Sequence, residues 1–192
     1  MREISCETIS LAVADLIGRA SLELPPDVLE AIAKARRLET SQNGRMLLER
    51  IEENARVARE CRLPLCQDTG TAVFFIEVGA DVHISGGLLT DAVNAGVRAA
   101  YGDNYLRKSI CHPFTRANSG DNTPAIIHCI PTAGDVLRIV FLAKGGGAEN
   151  KSAVRMLKPS DGMQGVIEAV VDIVNMAGAS PCPPVVVGVG IG

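Results

Sequence analysis

The chain contains no tryptophan, and only two tyrosines and four phenylalanines in 192 residues. So few flat rings argue against stacking platforms for single-stranded nucleic acid. Excess positive charge is missing as well: 19 Lys and Arg face 22 Asp and Glu, a net charge of −3. That balance disfavours non-specific binding to nucleic acid or to an anionic membrane surface. No apolar run approaches the length of a bilayer span. The opening Met1-Arg2-Glu3-Ile4 lacks a signal peptide's apolar centre and small-residue cleavage site, and the expectation is a soluble cytoplasmic protein. No CxxC pair occurs among the six cysteines, Cys6, Cys61, Cys66, Cys111, Cys129 and Cys182, which removes support for a zinc ribbon or a thioredoxin motif. Without a signal peptide, a disulfide framework is disfavoured too, and most of these thiols are expected to pack as small apolar groups. Internal repeats and low-complexity linkers are absent, so residues 1–192 are expected to form a single domain.

What is present is ample apolar content, 47%, arranged with helical spacing first and strand-like runs later. Residues 4–23 carry Ile9, Val13, Leu16, Ile17 and Ala20 on one stripe, which predicts an amphipathic helix. Pro25-Pro26-Asp27 starts a second helix, buried through Val28, Leu29, Ile32 and Ala35. Ser41-Gln42-Asn43 offers caps for a third, with Met46, Leu47, Ile51, Ala55 and Ala58 inward and an end near Arg62. Thr71 to Val82 reads as a strand, His83 to Gly87 as a turn, and Thr90 to Tyr101 as a helix capped by Thr90. Ala125 to Ile130 and Asp135 to Ala143 read as strands joined by a Pro/Gly turn. A helix over 160–177 and a buried-type strand over Val185 to Val189 follow. The pattern predicts a mixed α/β fold, with N-terminal helices followed by an antiparallel or mixed sheet and flanking helices. Ending on a glycine loop after an apolar run, the chain reads as truncated at its C-terminal side.

Polar and glycine-rich passages interrupt these elements. Pro64-Leu65-Cys66-Gln67-Asp68-Thr69-Gly70 puts a thiol, a carboxamide, a carboxylate and a hydroxyl on one predicted turn, where scaffolds commonly hold working groups. The bland alternative is a Pro/Gly turn with a self-bonded Asp and a packed Cys. In Lys144 to Ser152, the amides of Gly145, Gly146 and Gly147 can converge on an anion beside Lys144 and Lys151, or form an ordinary loop. It lacks P-loop spacing. Arg107 and Arg116 present forks suited to carboxylates, although single arginines are commonly solvated surface groups. Asn118 to Thr123 reads as a polar turn series. Cys111-His112, His83 and His128 are expected to pack rather than to bind metal. The opening of a dinucleotide fingerprint at Gly188-Val189-Gly190 is weak without a following helix.

Taken in order, six segments resemble the N-terminal, or alpha, part of class I iron–sulfur fumarases and the related two-subunit L-tartrate dehydratases. They are Pro64 to Gly70, Leu106-Arg107-Lys108-Ser109, Asn118 to Ala125, Lys144 to Ser152, Cys182-Pro183-Pro184 and Gly188 to Gly192. The resemblance implies a [4Fe–4S] cluster with Cys66 and Cys182 as two ligands and the third cysteine outside this chain. It implies a small dicarboxylate substrate, contacted at its hydroxyl by Asp68 in an orienting or acid/base role. Arg107, Lys144 and the Gly145–Gly147 loop are candidates for the carboxylates, with Gln67 and Thr69 beside them. It further implies a C-terminal or beta portion that supplies more arginines and a base, within a homodimer or heteromer. Fumarate hydration is the first reading and tartrate dehydration the second. A reading of another class is an anion- or phosphate-binding module without a cluster.

Overall fold

Ser5 ends one element and begins the next. Its extended backbone closes a short strand β1 (Arg2–Ser5), and its hydroxyl caps helix α1 (Cys6–Leu22) by accepting from the Thr8 N–H at 3.1 Å. The expected helix over 4–23 is therefore shorter, and its first residues pair instead in parallel with strand β3 (Val82–Ser85), Ile4 facing Ile84. His83 lies in that strand, not in a turn. Pro26 opens α2 (Pro26–Leu38), and Ser41 caps α3 (Gln42–Cys61) by accepting from the Gly44 N–H at 3.3 Å, as the local sequence predicts. Of the stripe expected on α3, Ala55 and Ala58 are buried, whereas Met46 and Leu47 are 51% and 59% exposed. Arg62 ends this helix in the left-handed region at φ 54°.

The computed structural model describes all 192 residues, as two compact units, Met1–Lys144 and Gly145–Gly192. At the centre of the first lies β2 (Thr71–Gly79), which stops at Gly79 instead of continuing to Val82. A close approach requires that glycine, because a Cβ there would meet the Gly134 carbonyl oxygen at 2.3 Å. Helix α4 (Leu89–Asp103) follows with Leu88 as its N-cap residue, so Thr90 does not cap it. Strands β4 (Ile126–Thr132) and β5 (Leu137–Lys144) do not pair with one another as the Pro/Gly turn between them suggests. They flank β2 in the order β4-β2-β5, β4 parallel and β5 antiparallel to it. The sheet is mixed, and the fold is α/β.

Alternation fixes which face of that sheet is buried. Ala72, Phe74 and Ile76 join Ile9, Val13 and Ile17 of α1 and Val93, Val97 and Tyr101 of α4 in one core. The two helices meet closely at Gly96, where a Cβ would fall 2.6 Å from the Ser10 carbonyl oxygen. Between α2 and α3, Arg36 reaches Glu49 at 3.3 Å and Glu52 at 3.2 Å; such exposed pairs contribute little to stability.

The second unit holds the four-residue helix α5 (Gly146–Glu149), a 3-10 turn at Pro159–Asp161 and α6 (Gly162–Ala177). The strand expected over Val185 to Val189 does not form, and Val186 is 93% exposed. A strand needs a neighbour for its backbone groups, and this unit offers no other. No helix of the protein is long and apolar enough to cross a membrane.

Candidate active site

The turn that bears Cys66 and Asp68 is held from several sides. Ahead of it, the Leu65 N–H donates to the Ser21 carbonyl at the end of α1 at 2.9 Å. The Asn54 side chain of α3 donates to the Leu65 carbonyl at 2.8 Å. Behind it, Gly70 adopts φ 70°, a conformation that glycine enters at little cost, and feeds directly into β2. Cys66 and Gln67 are exposed, Asp68 is half-buried, and Thr69 and Gly70 are buried.

Two further polar segments of the sequence converge on this turn. The Thr69 hydroxyl donates to the Arg107 carbonyl at 3.0 Å, which ties the turn to Leu106–Ser109. Tyr101, on the last turn of α4, aims its hydroxyl at the carbonyls of Thr69 and Gly70, each at 3.2 Å. Asn122 is fully buried with φ 63°. Its amide oxygen accepts from the N–H groups of Ser109 at 2.6 Å and Ile110 at 3.2 Å, and its amide nitrogen donates to the Gly70 carbonyl at 3.2 Å. Asp121 next to it accepts from the Thr123 backbone and hydroxyl at 2.9 and 2.8 Å; these bonds hold its carboxyl below the usual range. The Ser109 hydroxyl oxygen is buried without a hydrogen-bond partner, a condition that costs about 1–3 kcal/mol in a folded protein.

Lys144 closes β5 opposite Thr71, in antiparallel register, and its carbonyl accepts from the Thr71 hydroxyl at 3.4 Å. Thr71 follows Gly70, so Lys144 stands at the same end of the sheet as the turn. The first unit thus gathers Asp68, Thr69, Arg107 and Lys144 around one end of β2, with the Arg107 side chain exposed.

Gly145, Gly146 and Gly147 lie in the second unit and build the start of α5, where the Glu149 N–H donates to the Gly145 carbonyl at 2.9 Å. Within that unit the glycines approach the segment ahead of Cys182: a Cβ on Gly147 would lie 2.5 Å from the Ser180 carbonyl oxygen. Cys182 is exposed and has φ 57°, with its N–H donating to the Ala179 carbonyl at 3.1 Å. All six cysteines are free thiols. No group of three His, Cys, Asp or Glu side chains in the chain could hold a metal ion.

Tyr101 and Asn122 are the site residues that sequence reasoning missed. Tyr101 read only as the end of a helix, and Asn122 as one more residue of a polar turn. Burial pushes the Tyr101 phenol up to about 12, assisted by the negative charge of Asp68 and opposed by its hydrogen bond with Asn122. In the unfolded chain the phenol ionises near 10. Unfolding therefore releases a proton in the intervening window. The contribution is fully present below pH 10 and declines as pH rises toward 12, by about 2–3 kcal/mol. Urea titrations at pH 9 and near pH 11.5 should show that decline in the wild type and a much flatter profile for Tyr101→Phe.

An acid, an arginine and a lysine gathered at one end of a mixed sheet are groups suited to small acids. The family model described as fumarate hydratase (Fumerase) matches residues 10–192. The chain belongs to that family and corresponds to its N-terminal, alpha region. Among curated relatives, a Methanocaldococcus jannaschii protein provisionally named L(+)-tartrate dehydratase subunit alpha is 38% identical over 190 residues. That alignment covers 96% of this chain and 67% of the relative. The L(+)-tartrate dehydratase subunit alpha of Escherichia coli K12 is 31% identical over 184 residues, covering 93% of this chain and 60% of its own length. The same subunit of Shigella sonnei gives the same figures.

Proposed function

We propose that the chain is the alpha portion of an iron–sulfur hydro-lyase that adds or removes water on a four-carbon dicarboxylic acid. Our first reading is reversible hydration of fumarate to malate. The observation that carries it is the buried network that ties Thr69 and Gly70 to Arg107, Ser109 and Asn122, because it draws an acid and an arginine to one end of β2. Removing water from a 2-hydroxy diacid breaks a C–OH bond and a C–H bond on the neighbouring carbon. Both carboxylates need cationic or amide partners throughout. In this reading the Arg107 fork pairs with one carboxylate, and Lys144 with the Gly145–Gly147 amides serves the other. Asp68 contacts the substrate hydroxyl and orients it or exchanges its proton. Thr69 acts behind Asp68, its hydroxyl engaged by the Arg107 carbonyl, and exposed Gln67 lies beside the substrate. The proton on the neighbouring carbon goes to a base from the beta portion.

The cofactor in this reading is a [4Fe–4S] cluster, for which Cys66 and Cys182 are the donors from this chain. Their chemistry fits: both are free, exposed thiols on turns. In this reading a third cysteine, from outside the chain, completes the ligand set. When bound, the cluster supplies Lewis acidity toward a hydroxyl oxygen. The partner is a beta subunit or C-terminal domain, consistent with the relatives' naming as alpha subunits, within a homodimer or heteromer.

A second reading, dehydration of L(+)-tartrate, is favoured by the names of those same relatives. Anaerobic reconstitution with iron and sulfide, with the beta portion present, tests both. Broad visible absorbance is expected in the wild type and should be lost in Cys66→Ser. Fumarate formed from L-malate supports the first reading, and oxaloacetate formed from L(+)-tartrate the second. Colourless protein that binds inorganic phosphate would replace both with the binding-module reading.

A further inference from the structure

We propose that Tyr101 and Asn122 are positioning residues of the candidate site: a buried brace that fixes the Cys66–Gly70 turn against the Leu106–Ile110 segment and so sets where Asp68 stands relative to Arg107. The inference rests on the hydro-lyase reading for the roles of Asp68 and Arg107, but not for the brace itself.

Neither residue needs to be polar for packing. Tyr101 is fully buried among Val93, Val97, Phe74 and Leu106 of the same core, where a phenylalanine ring would fill nearly the same space. Its hydroxyl instead serves two consecutive carbonyls directly after Asp68. Asn122 serves two other chain segments at once: the Ser109–Ile110 amides and the Gly70 carbonyl. The two side chains meet at one acceptor, the Gly70 carbonyl, to which both donate at 3.2 Å. Together they replace local turn bonding by cross-bracing between sequence-distant pieces.

Backbone conformation points the same way. Tyr105, Arg116 and Asn122 all hold positive φ, at 56°, 60° and 63°. Left-handed non-glycine residues persist only where the surroundings over-determine them, and they cluster at working sites. The same segment leaves the Ser109 hydroxyl buried and unpaired. A connection with no purpose but to join α4 to β4 would relax out of such a shape. Held as it is, it keeps Arg107 fixed next to Thr69. Misplacing a reacting group by about 1 Å can cost roughly 10²-fold in rate, so loss of the brace should appear in turnover more than in affinity.

The test uses Tyr101→Phe and Asn122→Gly in the chain reconstituted with iron, sulfide and the beta portion. Glycine at 122 retains the positive φ while deleting the amide. Two readouts are taken, amide hydrogen exchange and steady-state kinetics with L-malate and L(+)-tartrate. For Tyr101→Phe, exchange over residues 66–70 and 108–111 should rise about tenfold or more, with α1 and the first turns of α4 unchanged. In the same variant kcat should fall about 10- to 100-fold, with KM shifting less than roughly threefold. Asn122→Gly should show the same pattern, more strongly. Uniform acceleration of exchange through α1 and α4 would mean that the residues only stabilise the core, and would overturn the proposal. Local acceleration with kcat unchanged would overturn it too. Wild-type enzyme that turns over neither acid would remove the hydro-lyase reading; the exchange pattern would then still decide whether the brace holds the turn.

Discussion

Replacing Asp68 with asparagine is expected to lower kcat for water removal by about 10²- to 10⁴-fold, the range over which a positioned acid or base acts. The substitution keeps the shape of the side chain and removes its charge and proton-transfer capacity. It sits on a turn whose neighbours are fixed: Leu65 is bonded to α1 and α3, and Thr69 and Gly70 are bonded by Tyr101 and Asn122. The loss should therefore reflect chemistry and not a displaced loop. An internal check follows from electrostatics, because the Asp68 charge helps to hold the Tyr101 phenol up near 12. With that charge gone, the phenol should ionise at lower pH, which ultraviolet titration of tyrosinate reads directly. A variant with kcat within threefold of wild type, in protein that carries its full iron and sulfide, would remove Asp68 from the reaction.

Phe74→Ala is expected to destabilise the first unit by about 3–5 kcal/mol, the usual range for deleting a buried aromatic ring. Phe74 is fully buried in the middle of β2, and its ring lies 5.2 Å from that of Phe141 at a 40° tilt. The next residue makes the control. Phe75 points to the opposite face, is 40% exposed and stacks on His128 at 4.9 Å. Its truncation should cost about 1 kcal/mol, near the centre of the range for single substitutions. Urea unfolding of both variants checks the sidedness of the sheet, and equal losses would refute it. Because β2 begins directly after Gly70, Phe74→Ala should also loosen the Cys66–Gly70 turn well before global unfolding.

Features set by local chemistry could be read from the sequence. The Ser41 cap, the Pro26 helix start and the run of β-branched and aromatic residues in β2 each depend on near neighbours. The mixed α/β class followed from the same patterns. Features set by distant partners could not. Four residues at the N-terminus form β1 only because Val82–Ser85 lies alongside. The turn signal between β4 and β5 was real, but β2 sits between the two strands. The motifs around Cys66, Arg107 and Asn118 to Thr123 were visible as separate polar passages. What joins the last two to the turn is the Thr69 hydroxyl and an asparagine inside a loop, while a tyrosine inside a helix holds the turn itself; their importance lies in carbonyls and amides that carry no sequence signature.

Strand direction in the three-stranded sheet gives the first unit two unlike poles. Parallel β4 starts where β2 starts, and antiparallel β5 finishes there. Polar loops with chemical potential are therefore delivered to one pole, while the connection through Ala133, Gly134 and Asp135 lies at the other. Seven residues of β4 at about 3.3 Å each separate the two by roughly 20 Å. A fluorophore attached at exposed Asp135 would stand roughly 20 Å from the candidate site and report on the far pole alone.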